Sequence, residues 1–228
     1  MSRLARRAAY GLLARTLKRM FRRVVWVGEW SPPPVDRPTV IYANHHAFYD
    51  GQLLALLCER VLRRPTVVWV EELDRFPFLA PLGALRFPRD DPAARMVTIR
   101  RTARLMQTDP STAMVYFPEG HLHAMEEGVA SFPSDRLPRL ARIFETVTWW
   151  PIALRVTGWN EAWPTALLAG GKVHQYPTGR ERETLQQLLD QLHSDSGESG
   201  RVLLDGRVSP HERWDMSWMR RLFVTEPK

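Results

Sequence analysis

A mixed, mostly parallel α/β sheet with helices on both faces is the fold class that this 228-residue chain predicts, preceded by a basic amphipathic helix at the N-terminus. Two observations carry the sheet. Residues 38–43, 66–70, 112–117 and 149–156 are short apolar runs rich in β-branched and aromatic side chains, which read as buried strands. Between them lie segments of helical character at 52–60, 91–107 and 138–144, and strands that alternate with helices build a parallel sheet through crossovers. A third observation carries the leading helix: no acid precedes Glu29, while Arg3, Arg6, Arg7, Arg15, Lys18, Arg19, Arg22 and Arg23 do.

In chain order, Leu13, Leu17, Met20, Phe21 and Val24 recur at helical spacing on one side of that helix, with Arg15, Lys18, Arg19 and Arg22 on the other. Such a helix lies in a membrane interface, its apolar face at the acyl boundary and its cations among lipid phosphates. Trp26 and Trp30 favour the same depth. Residues 1–30 are therefore expected to bind anionic lipid and to hold the protein peripherally on the cytoplasmic face of a membrane. A solvated helix packed on the domain and an Arg-rich presequence are the competing readings. Ser31-Pro32-Pro33-Pro34 makes 31–36 a stiff connector, and the α/β domain is expected over 37–193.

Within the domain, 71–74 suggests a turn of helix, and 76–82 an apolar loop broken by Pro77 and Pro81. Asp91-Pro92 starts a helix, with a capping acid before proline in the first turn. Residues 166–169 and 172–175 suggest later, peripheral strands, and 181–192 a surface helix packing Leu185, Leu188, Leu189 and Leu192. Residues 194–228 read as a loose linker followed by an aromatic helix at 211–223, with Trp214, Trp218 and Leu222 spaced by four.

The net charge of +7 and pI near 10.1 call for a phosphate-rich partner, whether nucleic acid, anionic membrane or phosphorylated ligand. In the N-terminal arm, charge is segregated from apolar residues and not interleaved with stacking aromatics, which favours lipid over nucleic acid. Cys58 is the single cysteine, so no internal disulfide or thiolate metal cluster can form, and it reads as a plain buried thiol. No run of 18 apolar residues is present to span a bilayer.

The stretch from Asn44 to Gly51 organises the rest. His45 can accept a proton near neutrality, and Asp50, five residues on, can fix its tautomer and stabilise the imidazolium. The pair falls at a strand-to-helix turn, where open α/β sheets place their sites. Phe117-Pro118-Glu119-Gly120 follows the third predicted strand, so Glu119 can face the His45 turn across the crevice, with Gly120 leaving room for close approach. Gly83 opens a turn that leads to Arg86 and Arg89, candidates to hold an anionic headgroup. Pro151 interrupts the apolar run at 149–153, which suggests an edge, a bulge or a site wall.

These four blocks, in this order, resemble the glycerolipid acyltransferase family, whose best-known members are the lysophosphatidic acid acyltransferases. The matching residues are Asn44-His45 with Asp50, Gly83 with Arg89, Phe117-Pro118-Glu119-Gly120, and Pro151, and the resemblance covers roughly 37–175. It implies transfer of a fatty acyl group from acyl-CoA or acyl carrier protein to a lipid hydroxyl, with no acyl-enzyme, no metal and no cofactor beyond that co-substrate. By the resemblance, His45 is the general base, Asp50 orients it, and backbone amides of the turn receive the oxyanion. Asn44, Gly83, Phe117, Pro118, His121 and Pro151 would line the substrate site, Glu119 and Gly120 would position the acceptor, and Arg89 would bind its phosphate. The family commonly continues Glu-Gly with Thr-Arg-Ser, whereas this chain reads His121-Leu122-His123, so a phosphate-binding arginine is missing there. A lysophospholipid or 1-acylglycerol-3-phosphate acceptor then competes with a glycolipid, an aminolipid or a glycosylated carotenoid.

Three other readings stand beside this one. His45-His46-x3-Asp50-Gly51 also spells the motif of the chloramphenicol acetyltransferase and condensation-domain superfamily, which would make His46 the base. His121 and His123, with Glu126 or Glu127, could share a metal. The chain could also be a membrane-binding protein without activity.

Overall fold

The structure is a computed structural model that describes residues 3–158, 161–214 and 217. Its strands are β1 (Arg23–Trp26), β2 (Thr39–Ala43), β3 (Thr66–Val70), β4 (Ala84–Arg86), β5 (Ala113–Tyr116), β6 (Thr148–Thr157), β7 (Thr165–Gly170) and β8 (Arg201–Asp205). Its α-helices are α1 (Arg3–Met20), α2 (Asp50–Leu56), α3 (Pro92–Thr108), α4 (Arg136–Ala141), α5 (Glu181–His193) and α6 (Pro210–Arg213). One sheet runs in the order β4-β3-β5-β2-β6-β7-β1-β8. The first five of these strands are mutually parallel; β7 is antiparallel to β6, β1 parallel to β7, and β8 antiparallel to β1. The mixed, mostly parallel sheet predicted from the sequence is thus formed.

Alternation along the strands explains the two helical layers. Ile41, Ala43, Val115, Trp150 and Ile152 point to the face covered by α1 and α2, where they meet Leu17, Phe21, Leu53 and Leu54. Val40, Tyr42, Met114, Trp149 and Ala153 point to the other face, against Met106, Leu137, Leu185, Leu189 and Leu192. The register Tyr42↔Tyr116 sets the carboxyl ends of β2 and β5 side by side, so the turns after both strands open on the same edge. Cys58 is buried in the π-helical turn Leu57–Val61 that continues α2, and desolvation pushes its thiol up to about 12.

The N-terminal segment departs from the expected interfacial arm. Leu13, Leu17 and Phe21 are buried against the domain, and Val24 to Trp26 belong to β1, held between β7 and β8. Of the stripe assigned to lipid, only Met20 stays exposed. A period-3.6 apolar stripe is what a helix needs to pack on a sheet as much as to lie on a bilayer. Trp26 stacks on Trp150 with centroids 5.4 Å apart, and Trp30 packs edge-on against both, so these indoles are core. Residues 31–36 connect β1 to β2 within the domain. The buried Arg64 ties this connector down through the Pro34 carbonyl, and its guanidinium also donates to the carbonyls of Arg37, Pro110 and Ser111.

Other differences are local. The run at 166–169 lies inside the sheet and not at its periphery, and 172–175 contributes only a single bridge, Trp149↔His174. The loop at 76–82 contains a 3-10 turn at Pro77–Leu82. β8 occupies part of the expected linker. Of the predicted aromatic helix, three residues, 211–213, fall in α6, and Trp218 and Leu222 lie outside the described residues.

Candidate active site

The loop from Asn44 to Asp50 is built by side chains folding back onto its own backbone. Asp50 opens α2 and is buried, and its Oδ2 accepts the amides of His46 and Ala47, both at 2.8 Å, together with Nδ1–H of His45 at 3.1 Å. A carboxylate oxygen only accepts, so this bond places the His45 proton on Nδ1 and leaves Nε2 with its lone pair. Nε2 has no partner among the described residues. The imidazole stacks on Phe117 with centroids 4.1 Å apart and planes at 17°, and its side chain stays 22% exposed. A histidine held in this tautomer, oriented by a buried carboxylate and open to solvent at Nε2, is equipped to take a proton from an incoming hydroxyl.

His46 is arranged in the opposite sense. Asn44 is buried and pairs with β6 like an extra ladder residue: its Oδ1 accepts the Leu154 amide and its Nδ2 donates to the Leu154 carbonyl, both at 2.8 Å. That fixes the amide, so its second N–H donates to His46 Nδ1 at 2.6 Å. Nε2 of His46 must then carry the proton, which it donates to the Gly128 carbonyl at 3.0 Å. Both ring nitrogens are spent on protein, and no lone pair remains for a substrate.

Glu119 lies beneath both histidines. The sequence reading put this carboxylate toward the acceptor; its side chain is instead 0% exposed. Oε2 accepts the His45 amide at 2.5 Å, while Oε1 accepts the Ala130 amide at 2.8 Å and faces Nε2 of His123 at 2.9 Å. The turn after β5 therefore grips the backbone of His45 through a buried carboxylate, and a residue quoted from one motif holds the catalytic candidate of another. His46, Glu119 and His123 bring ligand-type atoms within 4.8 Å of one another, a cluster absent from the sequence reading. Hydrogen bonds within the protein account for their closeness: both nitrogens of His46 and both oxygens of Glu119 have protein partners. His121 faces the Glu119 carbonyl at 3.1 Å and stands outside that group.

The remaining predicted residues divide into scaffold and rim. Gly83 has φ +92° at the end of the 3-10 turn, and a Cβ there would sit 1.8 Å from the Thr66 carbonyl oxygen. Its requirement is the turn and close packing on β3, and Gly83→Ala is expected to lower unfolding stability by at least about 2 kcal/mol in chemical denaturation. Pro151 is buried in β6, where the ladder to β7 gives way to the turn at Gly171; its carbonyl accepts the Gly171 amide, and the missing N–H falls at this irregularity. Pro118 is buried and Gly120 is exposed, with φ +77°. Arg89 is exposed on the loop after β4, at the same sheet edge as the His45 turn.

Arg136 joins the site from outside the four sequence blocks. It opens α4, donates through Nη1 to the Pro118 carbonyl, and lies 3.6 Å from where a Cβ on Gly120 would be. No motif marks it, because it sits sixteen residues beyond the Glu-Gly pair it packs against. Phe48 and Phe78 are also exposed, at 55% and 58%, and Phe76 bridges them with centroids 6.1 Å from each.

No protein-family model matches the chain, and no curated protein does. Among solved structures, it is similar to the crystal structure of the 1-acyl-sn-glycerophosphate (LPA) acyltransferase PlsC from Thermotoga maritima, at TM-score 0.59 and 18% identity, over 83% of this chain and 80% of that one. The eight-stranded α/β fold of the chain is the fold of that protein.

Proposed function

We propose that the protein is an O-acyltransferase that moves a fatty acyl group from a thioester donor, acyl-CoA or acyl carrier protein, to a hydroxyl of a lipid acceptor of lysophospholipid or 1-acylglycerol-3-phosphate type. The observation that carries this is the His45 imidazole, held by buried Asp50 with Nε2 open, on a fold similar to that of a PlsC acyltransferase. Nε2 takes the hydroxyl proton as the oxygen bonds to the thioester carbonyl carbon. The tetrahedral intermediate then expels the thiolate, which recovers the proton from the imidazolium; Asp50 stabilises that cation throughout. The amides of His45, His46, Ala47 and Asp50 are already donated within the loop and to Glu119, so the oxyanion is received by other donors than these four. This scheme draws on no cofactor beyond the donor.

Arg136 favours an acceptor with an anionic headgroup. It puts a guanidinium beside Gly120, next to the position where the motif has lost its arginine. Arg136→Ala is expected to raise the acceptor KM about tenfold with kcat little changed, measured by initial rates on lysophosphatidic acid. A neutral glycolipid acceptor would show no such rise.

In the same reading, peripheral membrane attachment keeps the basic side of the N-terminal helix and gives up most of its apolar stripe, which the domain buries. The outward side of α1 keeps Arg7, Arg15, Lys18 and Arg19 exposed beside Leu12 and Met20. α1 packs on the 3-10 turn that carries Phe78, and Phe21 just after it meets Tyr49 beside Phe48, so the helix adjoins the Phe48–Phe76–Phe78 rim at the His45 loop. A peripheral seat on anionic lipid would present the site to the bilayer. The test of the whole reading is transfer from radiolabelled acyl-CoA and acyl carrier protein into a total lipid extract. A labelled phospholipid product supports it, and no product with either donor refutes it.

A further inference from the structure

We infer that the outer face of α3 is a docking surface for an acyl carrier protein, a small acidic helical protein that bears its acyl group on a phosphopantetheine arm. This inference rests on the acyltransferase reading and names its donor.

The inner face of α3 is fixed. Thr98 donates to the Arg86 carbonyl at 2.6 Å, Thr102 accepts from Trp69 Nε1 at 2.9 Å, and Met106 is buried in the core. At 100° per residue, the side opposite these three is centred on Arg100 and Arg104, with Met96 on one flank and Val97, then Arg101, on the other. All five are exposed, Val97 by 64% and Met96 by 42%, and none of the three arginines is ion-paired among the described residues. No acid occurs anywhere in the helix.

The position of the charges selects the partner. A helix that lies on a bilayer carries apolar side chains at its crest and cations on its flanks, so that the cations reach the phosphates without entering the acyl layer. On α3 the cations are the crest, and a bilayer would meet them first. A protein helix with acids flanking apolar residues matches that order, pairing its acids with the arginines and its apolar atoms with Val97.

Placement fits delivery. β4 is parallel to the strands of the site, so the loop from Arg86 to Pro92 opens on the same edge as the His45 turn. β4 and β2 lie three strand spacings apart, about 14 Å, which is within reach of a pantetheine thioester carried by a partner seated on α3.

The test compares palmitoyl-CoA and palmitoyl carrier protein as donors to the same acceptor, with wild type and with Arg100→Glu/Arg104→Glu. Both residues are exposed, so the fold is expected to hold. The proposal predicts that the double variant raises KM for the carrier-protein donor about thirtyfold, and that its rate with palmitoyl-CoA stays within about twofold of wild type. Raising the salt should weaken the carrier-protein donor in wild type and barely affect it in the variant. Equal effects on both donors, or none on either, would overturn the proposal. So would loss of sedimentation with phosphatidylglycerol vesicles while the carrier-protein KM stays put, since the face would then serve lipid. If wild type transfers from neither donor, the acyltransferase reading fails, and carrier-protein binding by fluorescence anisotropy judges the surface alone: binding lost in the variant sustains it, and no binding in wild type sinks it.

Discussion

Replacing His45 by alanine is expected to reduce acyl transfer about a thousandfold, the scale of a lost general base, with little loss of stability because the ring is partly exposed. His46→Ala should separate cleanly from it. His46 bridges Asn44 and Gly128, so its removal strips two hydrogen bonds from the loop and leaves the Nε2 lone pair of His45 where it was. The expected outcome is a stability loss of about 1–3 kcal/mol and a rate within about tenfold of wild type. Rates from radiolabelled donor and denaturant midpoints, taken on both variants, decide the matter. If His46→Ala is dead while His45→Ala retains activity, the base has been misassigned and with it the reading of the whole site.

The second large effect belongs to Glu119. Three donors converge on its carboxylate: the amides of His45 and Ala130, and Nε2 of His123. Glutamine keeps the shape but turns one acceptor into a donor, so an N–H must face an N–H in a site closed to water. Glu119→Gln should therefore cost about 3 kcal/mol of stability and lower kcat at least about tenfold by loosening the backbone beneath the base. The split between constants separates positioning from substrate contact. A residue that holds His45 lowers kcat and leaves the acceptor KM nearly alone; one that binds the acceptor raises KM. A raised KM at undiminished kcat would show that Glu119 swings out to the substrate.

Those two variants also mark how much of the site could be read in advance. The contact of His45 with Asp50 was legible because the imidazole and the carboxylate sit five residues apart on one turn, where local geometry nearly determines it. Glu119 was found and its role was not, since a motif records the order of residues and is silent on which way a carboxylate points once its strand is placed. Arg136 left no trace, because only the folded turn brings α4 against Gly120. The fold shows the same division. β2, β3, β5 and β6 are continuous apolar runs and were visible. β1 was hidden because Val24 extends the apolar spacing of α1 beyond the end of the helix, so one pattern absorbed two elements. β4 has three residues, too few for any period to register, and the outer residues of β8 are exposed, which let it pass for linker.

The position of β1 constrains the order in which the molecule can be assembled. Its four residues arrive early in synthesis, yet both of their neighbours in the sheet come from beyond Pro164. The five-strand parallel half can close once β6 is made. Val24, Val25 and Trp26 meanwhile have no ladder to join until Gly170 has emerged, and their second edge stays open until Asp205 has. Long-range closures of this kind are slow and expose surface that self-associates. Refolding should therefore show a late phase that reports on Trp26, and chains interrupted before β8 should aggregate through their first strand.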